Sequence, residues 1–212
     1  MRSRAKSRSL GTVLLATLLA ACGLGEEQAI RQAFEEYKQS ILDQDGERAA
    51  SLVTQNTLDY YDEMRDLAVE AGPEQILDRR LTDRLAVATY RLTLDLESLR
   101  QMTPRALFAF AVDEGLIGSR SDVAGLELGT ITLSGDMATA NAVSDGQEAP
   151  LEWEFRREGD QWRLDLEALL AVVNLVLQNL ARESGVSENQ LIYQTLEART
   201  GQRVTGEVWA RP

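Results

Sequence analysis

The chain changes its hydrophobic period near residue 126, and that change divides it. Before this point the period is helical. Ile30, Ala33, Phe34, Tyr37 and Ile41 recur at three- and four-residue steps and share one face of a helix predicted over Glu27–Gln44. Asp43-Gln44-Asp45-Gly46 ends it, with Gly46 expected in the left-handed conformation common at helix termini. A second helix is predicted over Glu47–Ala71, burying Leu52, Val53, Leu58, Tyr61, Leu67 and Ala68. It is interrupted near Thr54-Gln55-Asn56-Thr57, whose side chains compete for backbone hydrogen bonds. Gly72-Pro73 stops it. Leu77, Leu81, Leu85, Ala88, Leu92, Leu96 and Leu99 then form a helical stripe over Glu74–Gln101, broken near Thr93, although Leu92, Leu94 and Leu96 also alternate as a strand does. Thr103 as N-cap and Pro104 as first residue open a shorter helix that ends at Gly115. Residues 118–125, rich in Gly, Ser and Asp, read as a loop.

From Leu126 the period is two. Leu126, Leu128, Thr130 and Thr132 alternate with Glu127, Gly129, Ile131 and Leu133 before Ser134-Gly135-Asp136 turns the chain. Met137–Val143 puts Ala138, Ala140 and Ala142 on one side. In the next hairpin Leu151, Trp153 and Phe155 point one way and Glu152, Glu154 and Arg156 the other. After Gly159-Asp160, Trp162, Leu164 and Leu166 point inward, with Arg163, Asp165 and Glu167 expected outward on a solvated face. These strands make a meander of about four antiparallel strands with one apolar face, and the preceding helices are the available cover. The predicted class is therefore α+β, N-terminal helices packed on a curved antiparallel sheet, with a helical C-terminal extension.

That extension opens with Ala168–Ala181, a nearly continuous apolar run too short to span a bilayer. Its one polar stripe, Asn174, Gln178 and Arg182, predicts a helix buried on most sides. Gly185 ends it. Ser187 and Gln190 form a capping box for a last helix reaching about Thr200 and Gly201.

A second apolar run stands at the other end of the chain. Arg2, Arg4, Lys6 and Arg8 precede an uncharged stretch, Leu10–Ala21, and the chain's one cysteine, Cys22, follows. A basic start, a short apolar middle and small residues at its end are a secretory signal, not a span. Leu19-Ala20-Ala21-Cys22 resembles the lipobox of bacterial lipoproteins. The resemblance implies cleavage before Cys22 and acylation of its thiol. One acyl chain holds a protein only marginally, whereas two or three anchor it stably. The domain reading is then a signal over 1–21, a lipidated tether over 22–28, an α+β domain over 29–166 and the extension over 167–212. The expected address is the extracytoplasmic face of a bacterial envelope membrane.

Without residues 1–21, which hold four basic and no acidic residues, the side chains sum to −16. This argues against nucleic acid as a partner, whose backbone selects basic patches, and against adsorption to anionic lipid. The chain has no histidine. With Cys22 acylated it has no free thiol, so Ser-His-Asp and Cys-His catalysis and His/Cys zinc sites are ruled out. Asp43-x-Asp45-x-Glu47 lacks the glycine and distal glutamate positions of a calcium loop. No metal or cofactor is implied.

The opening helix "AIRQAFEEYKQSILDQDGERAASLV", with its acidic Gly-containing turn, and the closing hairpin "EWEFRREGDQWRLDLEAL" resemble the nuclear transport factor 2-like superfamily. The resemblance covers about Ala29–Leu166. It implies a cone in which a curved sheet wraps the first helix around a cavity, which Phe34, Tyr37, Trp153, Phe155 and Trp162 would line. Those five are also the residue types and positions of plain core. Some members of that superfamily are ketosteroid isomerases or polyketide cyclases that use a pocket Asp with a Tyr or His. By residue type the candidates here are Asp59, Asp62, Asp95 and Asp113 with Tyr60, Tyr61 and Tyr90. None stands in a motif that aligns with a catalytic position. The expected function is non-catalytic binding of an apolar small molecule or an envelope protein, with an isomerase-like enzyme acting on a hydrophobic carbonyl substrate as the alternative.

Overall fold

The computed structural model describes residues 11–118 and 123–210, with side chains from Gly25 onward. The basic start of the signal, the side chain of Cys22 and the centre of the loop expected at 118–125 lie outside the described residues. The N-terminal layer is α1 (Gly11–Asp43), α2 (Gly46–Ser51), α3 (Gln55–Glu70), α4 (Pro73–Leu77), α5 (Leu81–Thr93), α6 (Leu96–Gln101) and α7 (Pro104–Asp113). The sheet follows as β1 (Leu126–Ser134), β2 (Met137–Ser144), β3 (Gln147–Glu158) and β4 (Gln161–Asp165), antiparallel in the order β1-β2-β3-β4. The chain closes with α8 (Glu167–Glu183), α9 (Glu188–Thr200) and a 3-10 turn, Gly206–Trp209. The architecture is α+β, with helices packed on a curved sheet.

The interruptions have identifiable causes. Between α2 and α3 the chain leaves the helix to form a short parallel bridge with β4: Leu164 N–H donates to Leu52 C=O and Thr54 N–H to Leu164 C=O, both at 2.9 Å. Thr54 then caps α3, its hydroxyl accepting from Thr57 N–H. The ambiguous stretch 74–101 forms helices and no strand. It breaks after Leu77 and again after Thr93, where Asp95 caps α6 by accepting from Ser98 N–H.

Gly46 differs from expectation. The left-handed residue at the end of α1 is Gln44, at φ 55°. Gly46 instead begins α2 and lies against α7, where a Cβ would stand 2.2 Å from the Ala109 carbonyl oxygen. Glycine is required there for close helix approach. The first helix also begins upstream of Glu27.

In β1 a bulge between Leu128 and Ile131 shifts the register against β2. The bulge lets Leu126 and Leu128 on one side of it, and Ile131 and Leu133 on the other, all join the core from alternating positions that strict periodicity would split. The outer edge of β1 is covered by α1. Arg31 donates to the Leu128 and Gly129 carbonyls at 2.8 and 2.9 Å, and Lys38 to the Leu126 carbonyl at 2.7 Å. Cations on unpaired carbonyls protect an edge that would otherwise pair with another strand.

One core runs through the domain and the extension. Ile30, Phe34 and Tyr37 of α1 lie with Ala138, Ala140 and Ala142 of β2, Phe155 of β3 and Leu164 of β4. Leu191, Ile192 and Leu196 of α9 continue it to Val204 and Trp209. Arg91 of α5 locks this closure. Its five N–H donors reach the Leu67, Ala68 and Ala71 carbonyls at the end of α3 and the Val208 and Ala210 carbonyls of the tail, at 2.7–3.2 Å.

Two expectations are corrected here. Asp165 is buried, not on a solvated face. It pairs with Arg156 Nε at 2.7 Å and accepts from Asn56 and from Glu167 N–H, because the end of β4 turns under α3 and α8. The helix read as buried on most sides, α8, is half outside. Val173, Leu175, Val176 and Leu180 are 38–59 % exposed, and within the helix Ala181 alone is fully buried. Two residues of the polar stripe, Asn174 and Gln178, are half-buried against neighbouring helices, while Arg182 stays exposed. Asn174 Oδ1 accepts the Thr82 N–H in the first turn of α5, a donor that the N-cap residue Arg80 cannot satisfy, and Gln178 donates to Glu188.

Candidate functional site

The five aromatic residues expected to line a cavity come together in the core. Phe34 and Trp153 meet edge to face, with ring centroids 5.2 Å apart. Phe34, Tyr37, Trp153, Phe155 and Trp162 are all buried, between 0 and 6 % exposed. Trp153 stands opposite Ala140, and Phe155 opposite Ala138, so the large side chains of β3 sit beside small ones of β2. Burial raises the Tyr37 hydroxyl well above the ordinary phenol range. Trp162 donates its indole N–H to Glu26 at 2.5 Å. Among the described residues the indole N–H of Trp153 has no partner. A buried donor left unpaired costs about 1–3 kcal/mol, so this atom is the polar feature in the cluster available to a ligand acceptor. Cys22 lies within α1, four residues before Glu26.

The isomerase-like candidates do not assemble. Asp59 accepts from Gln55 and Asp62 pairs with Arg65, both on the outer face of α3. Asp95 is an exposed helix cap, its carboxyl held below the usual range by Ser98 N–H and hydroxyl. Asp113 accepts the Gly46 N–H at 2.7 Å. A tyrosine–aspartate pair does form, through a residue that the sequence reading passed over. Tyr60 donates to Asp83 at 3.2 Å, while Thr82 Oγ1 and Arg80 Nε lie 3.3 and 3.1 Å from the same carboxylate. Burial first, and then the Asp83 charge, raises the Tyr60 hydroxyl far above its ordinary value, so it is a fixed donor. Asp83 is 3 % exposed with both oxygens engaged. A general base must reach a substrate proton within hydrogen-bond distance, and this carboxylate faces its own protein partners. Asp83 had a legible cue: it falls in the first turn of α5, where carboxylates are favoured.

Two recesses open at the surface. One, of about 650 Å³, is lined by Asp59, Asp62, Glu63, Asp66 and Glu70 of α3, with Gln75 and Arg79. The other, of about 280 Å³, lies between Arg91, Leu94, Leu96 and Leu99 and the tail residues Glu207 and Val208. Neither touches the aromatic cluster. Among the described residues no group of three or more carboxylate, thiol or imidazole side chains is disposed to hold a metal ion. No helix is long and apolar enough to cross a membrane, among the described residues.

The exposed side of α8 carries four of the seven exposed large hydrophobic residues of the described fold. Val173, Val176 and Leu180 follow one another at three- and four-residue steps, with Leu175 exposed beside them. Compared with models of protein families, with curated proteins and with solved structures, the chain matches none.

Proposed function

We propose that this chain is an exported bacterial lipoprotein, held to an envelope membrane by acyl chains on Cys22, and that its folded part is a non-catalytic module that binds an envelope protein. The observation that carries the binding half is the outward apolar face of α8. Four large aliphatic side chains are left in water on an otherwise strongly acidic domain, and such contiguous patches mark interaction surfaces. The anchoring half rests on the basic start, the short apolar run and Leu19-Ala20-Ala21-Cys22. A filled aromatic core favours a protein over a small molecule as the partner, since the inner faces of α1, β3 and β4 are occupied by one another.

A photo-crosslinking residue at Val176 in cells producing the full chain tests the binding half. The expected result is a discrete adduct at Val176 that is absent when the crosslinker stands at Glu35, exposed on α1. Equal labelling at both positions, or none, argues against it. Mass spectrometry of the membrane-extracted protein tests the anchor, which requires an acylated Cys22 as the first residue.

One observation favours a second reading, an apolar ligand bearing a hydrogen-bond acceptor: the unpaired indole N–H of Trp153. A ligand there must part Phe34 from Trp153. Its binding would quench tryptophan emission, and the Trp153→Phe variant would lose the affinity.

A further inference from the structure

The fold begins very close to the proposed acyl anchor. Glu26 is already tied down: its carboxylate accepts the Trp162 indole N–H at 2.5 Å and pairs with Arg157 at 2.7 Å. The Arg157 guanidinium lies over the Trp162 ring, 5.1 Å from its centroid. Arg157 N–H donates to the Asp136 carbonyl at 2.8 Å, which ties the β1–β2 turn to the end of β3. One end of the sheet therefore carries Glu26 of α1 and both of these hairpin turns, at 134–137 and 158–161.

Four peptide steps separate Cys22 from Glu26. They span at most about 14 Å when extended and about 6 Å as helix. The sheet is longer than this: the 8 residues of β2 reach roughly 26 Å. From these lengths we infer that the bilayer interface is the partner of the sheet end bearing the β1–β2 and β3–β4 turns, and that the Glu26–Trp162–Arg157 clamp holds the domain upright on its anchor with the Asp145-Gly146 turn directed away. The inference rests on the lipoprotein reading above. Electrostatics supports the upright pose. A domain with a side-chain charge of −16 after signal removal is repelled by anionic headgroups, so lying flat on the membrane is disfavoured.

Site-specific quenching tests this on the intact lipidated protein. Acylation leaves Cys22 without a thiol, so a cysteine introduced as Asp160→Cys at the near turn, or as Glu148→Cys beside the far turn, is the one position that takes a fluorophore. Both residues are exposed. The proteins are reconstituted in phosphatidylethanolamine–phosphatidylglycerol vesicles carrying a headgroup nitroxide quencher. The expected result is strong loss of emission at 160 and little at 148. A Gly/Ser insertion of about ten residues after Gly23 adds roughly 17 Å of reach, and it should erase the contrast. Ser134→Cys is a second near position should the Asp160 variant fold poorly. Equal quenching at near and far positions in acylated protein overturns the orientation. So does a contrast that survives the insertion, because the short clamped tether would then not be its cause. An unmodified Cys22 in the mass spectrum removes both the anchor and the orientation, and that readout separates the two failures.

Discussion

Replacing Arg91 by methionine tests how the C-terminal extension is held to the domain. The guanidinium spends all five of its N–H donors on main-chain carbonyls. Three of these, on Leu67, Ala68 and Ala71, lie at the end of α3, where the helix dipole favours a cation; the Leu67 carbonyl also accepts the Ala71 N–H. The other two belong to Val208 and Ala210 of the tail. Burial lowers the Arg91 pKa, so desolvation opposes the charge and the carbonyl cage must outweigh it. Hydrogen bonds to a charged donor are each worth about 1.5–3 kcal/mol. Water can replace the guanidinium at the more exposed carbonyls, so we count roughly two full bonds, a loss of about 3–6 kcal/mol. For a chain of this size the melting temperature falls by about 10 °C. Arg91→Lys keeps the charge but has three donors on a flexible stem and should lose about half as much. Denaturant unfolding gives the energies. Hydrogen exchange at the Val208 and Ala210 amides, together with the emission of Trp209, which is buried and donates to Tyr193, reports the tail directly. If Arg91→Met unfolds within about 0.5 kcal/mol of the parent with Trp209 emission unchanged, the cage is not what closes the fold.

Further outcomes follow from the same geometry. Gly46→Ala places a methyl group 2.2 Å from the Ala109 carbonyl oxygen and should cost about 3 kcal/mol in thermal unfolding; a variant as stable as the parent would show that α2 and α7 can part freely. Burial holds the hydroxyls of Tyr37, Tyr60, Tyr61 and Tyr90 above the phenol range, so these groups contribute stability that is intact below about pH 10 and is lost as pH rises further. Phenolate absorbance from these residues should appear together with unfolding, and early titration of all four without loss of structure would contradict their placement. Trp153→Phe removes an unpaired donor while opening a small void, so it should change stability by under about 1.5 kcal/mol, against about 3–5 for Phe34→Ala. A large loss in the Trp153 variant would mean that the indole N–H has a partner.

Much of the fold was legible because local signals agreed with one another. The β3–β4 hairpin alternates cleanly, turns at Gly159, and buries Trp153, Phe155, Trp162 and Leu164 as the pattern requires. Thr103-Pro104 and Ser187 cap the helices they were expected to cap. The misses occur where a tertiary partner decides. Asp165 sits at an outward-reading position, yet Arg156 and Asn56 meet it at the end of β4. The β1 bulge breaks the strict alternation of its four apolar residues. Tyr60 was recognisable as a polar aromatic on a helix, but its partner Asp83 lies on another helix, and no sequence spacing encodes that meeting.

The inversion of α8 follows from the same competition, and it bears on function. A helix with a single narrow polar stripe ordinarily shows that stripe to water. Here the first turn of α5 presents an N–H that its own cap leaves unsatisfied, and Asn174 is the side chain that reaches it. An orphaned backbone donor costs about 1–3 kcal/mol, so turning Asn174 inward is favourable even though it rotates Leu175 and Val176 into solvent. Those two residues forgo burial worth about 25 cal/mol per Å² of apolar surface. Serine at both positions would remove that apolar surface without touching the Asn174 bond. Packing inside the chain therefore explains which way α8 faces but not why its outer face is aliphatic, and a binding surface accounts for both.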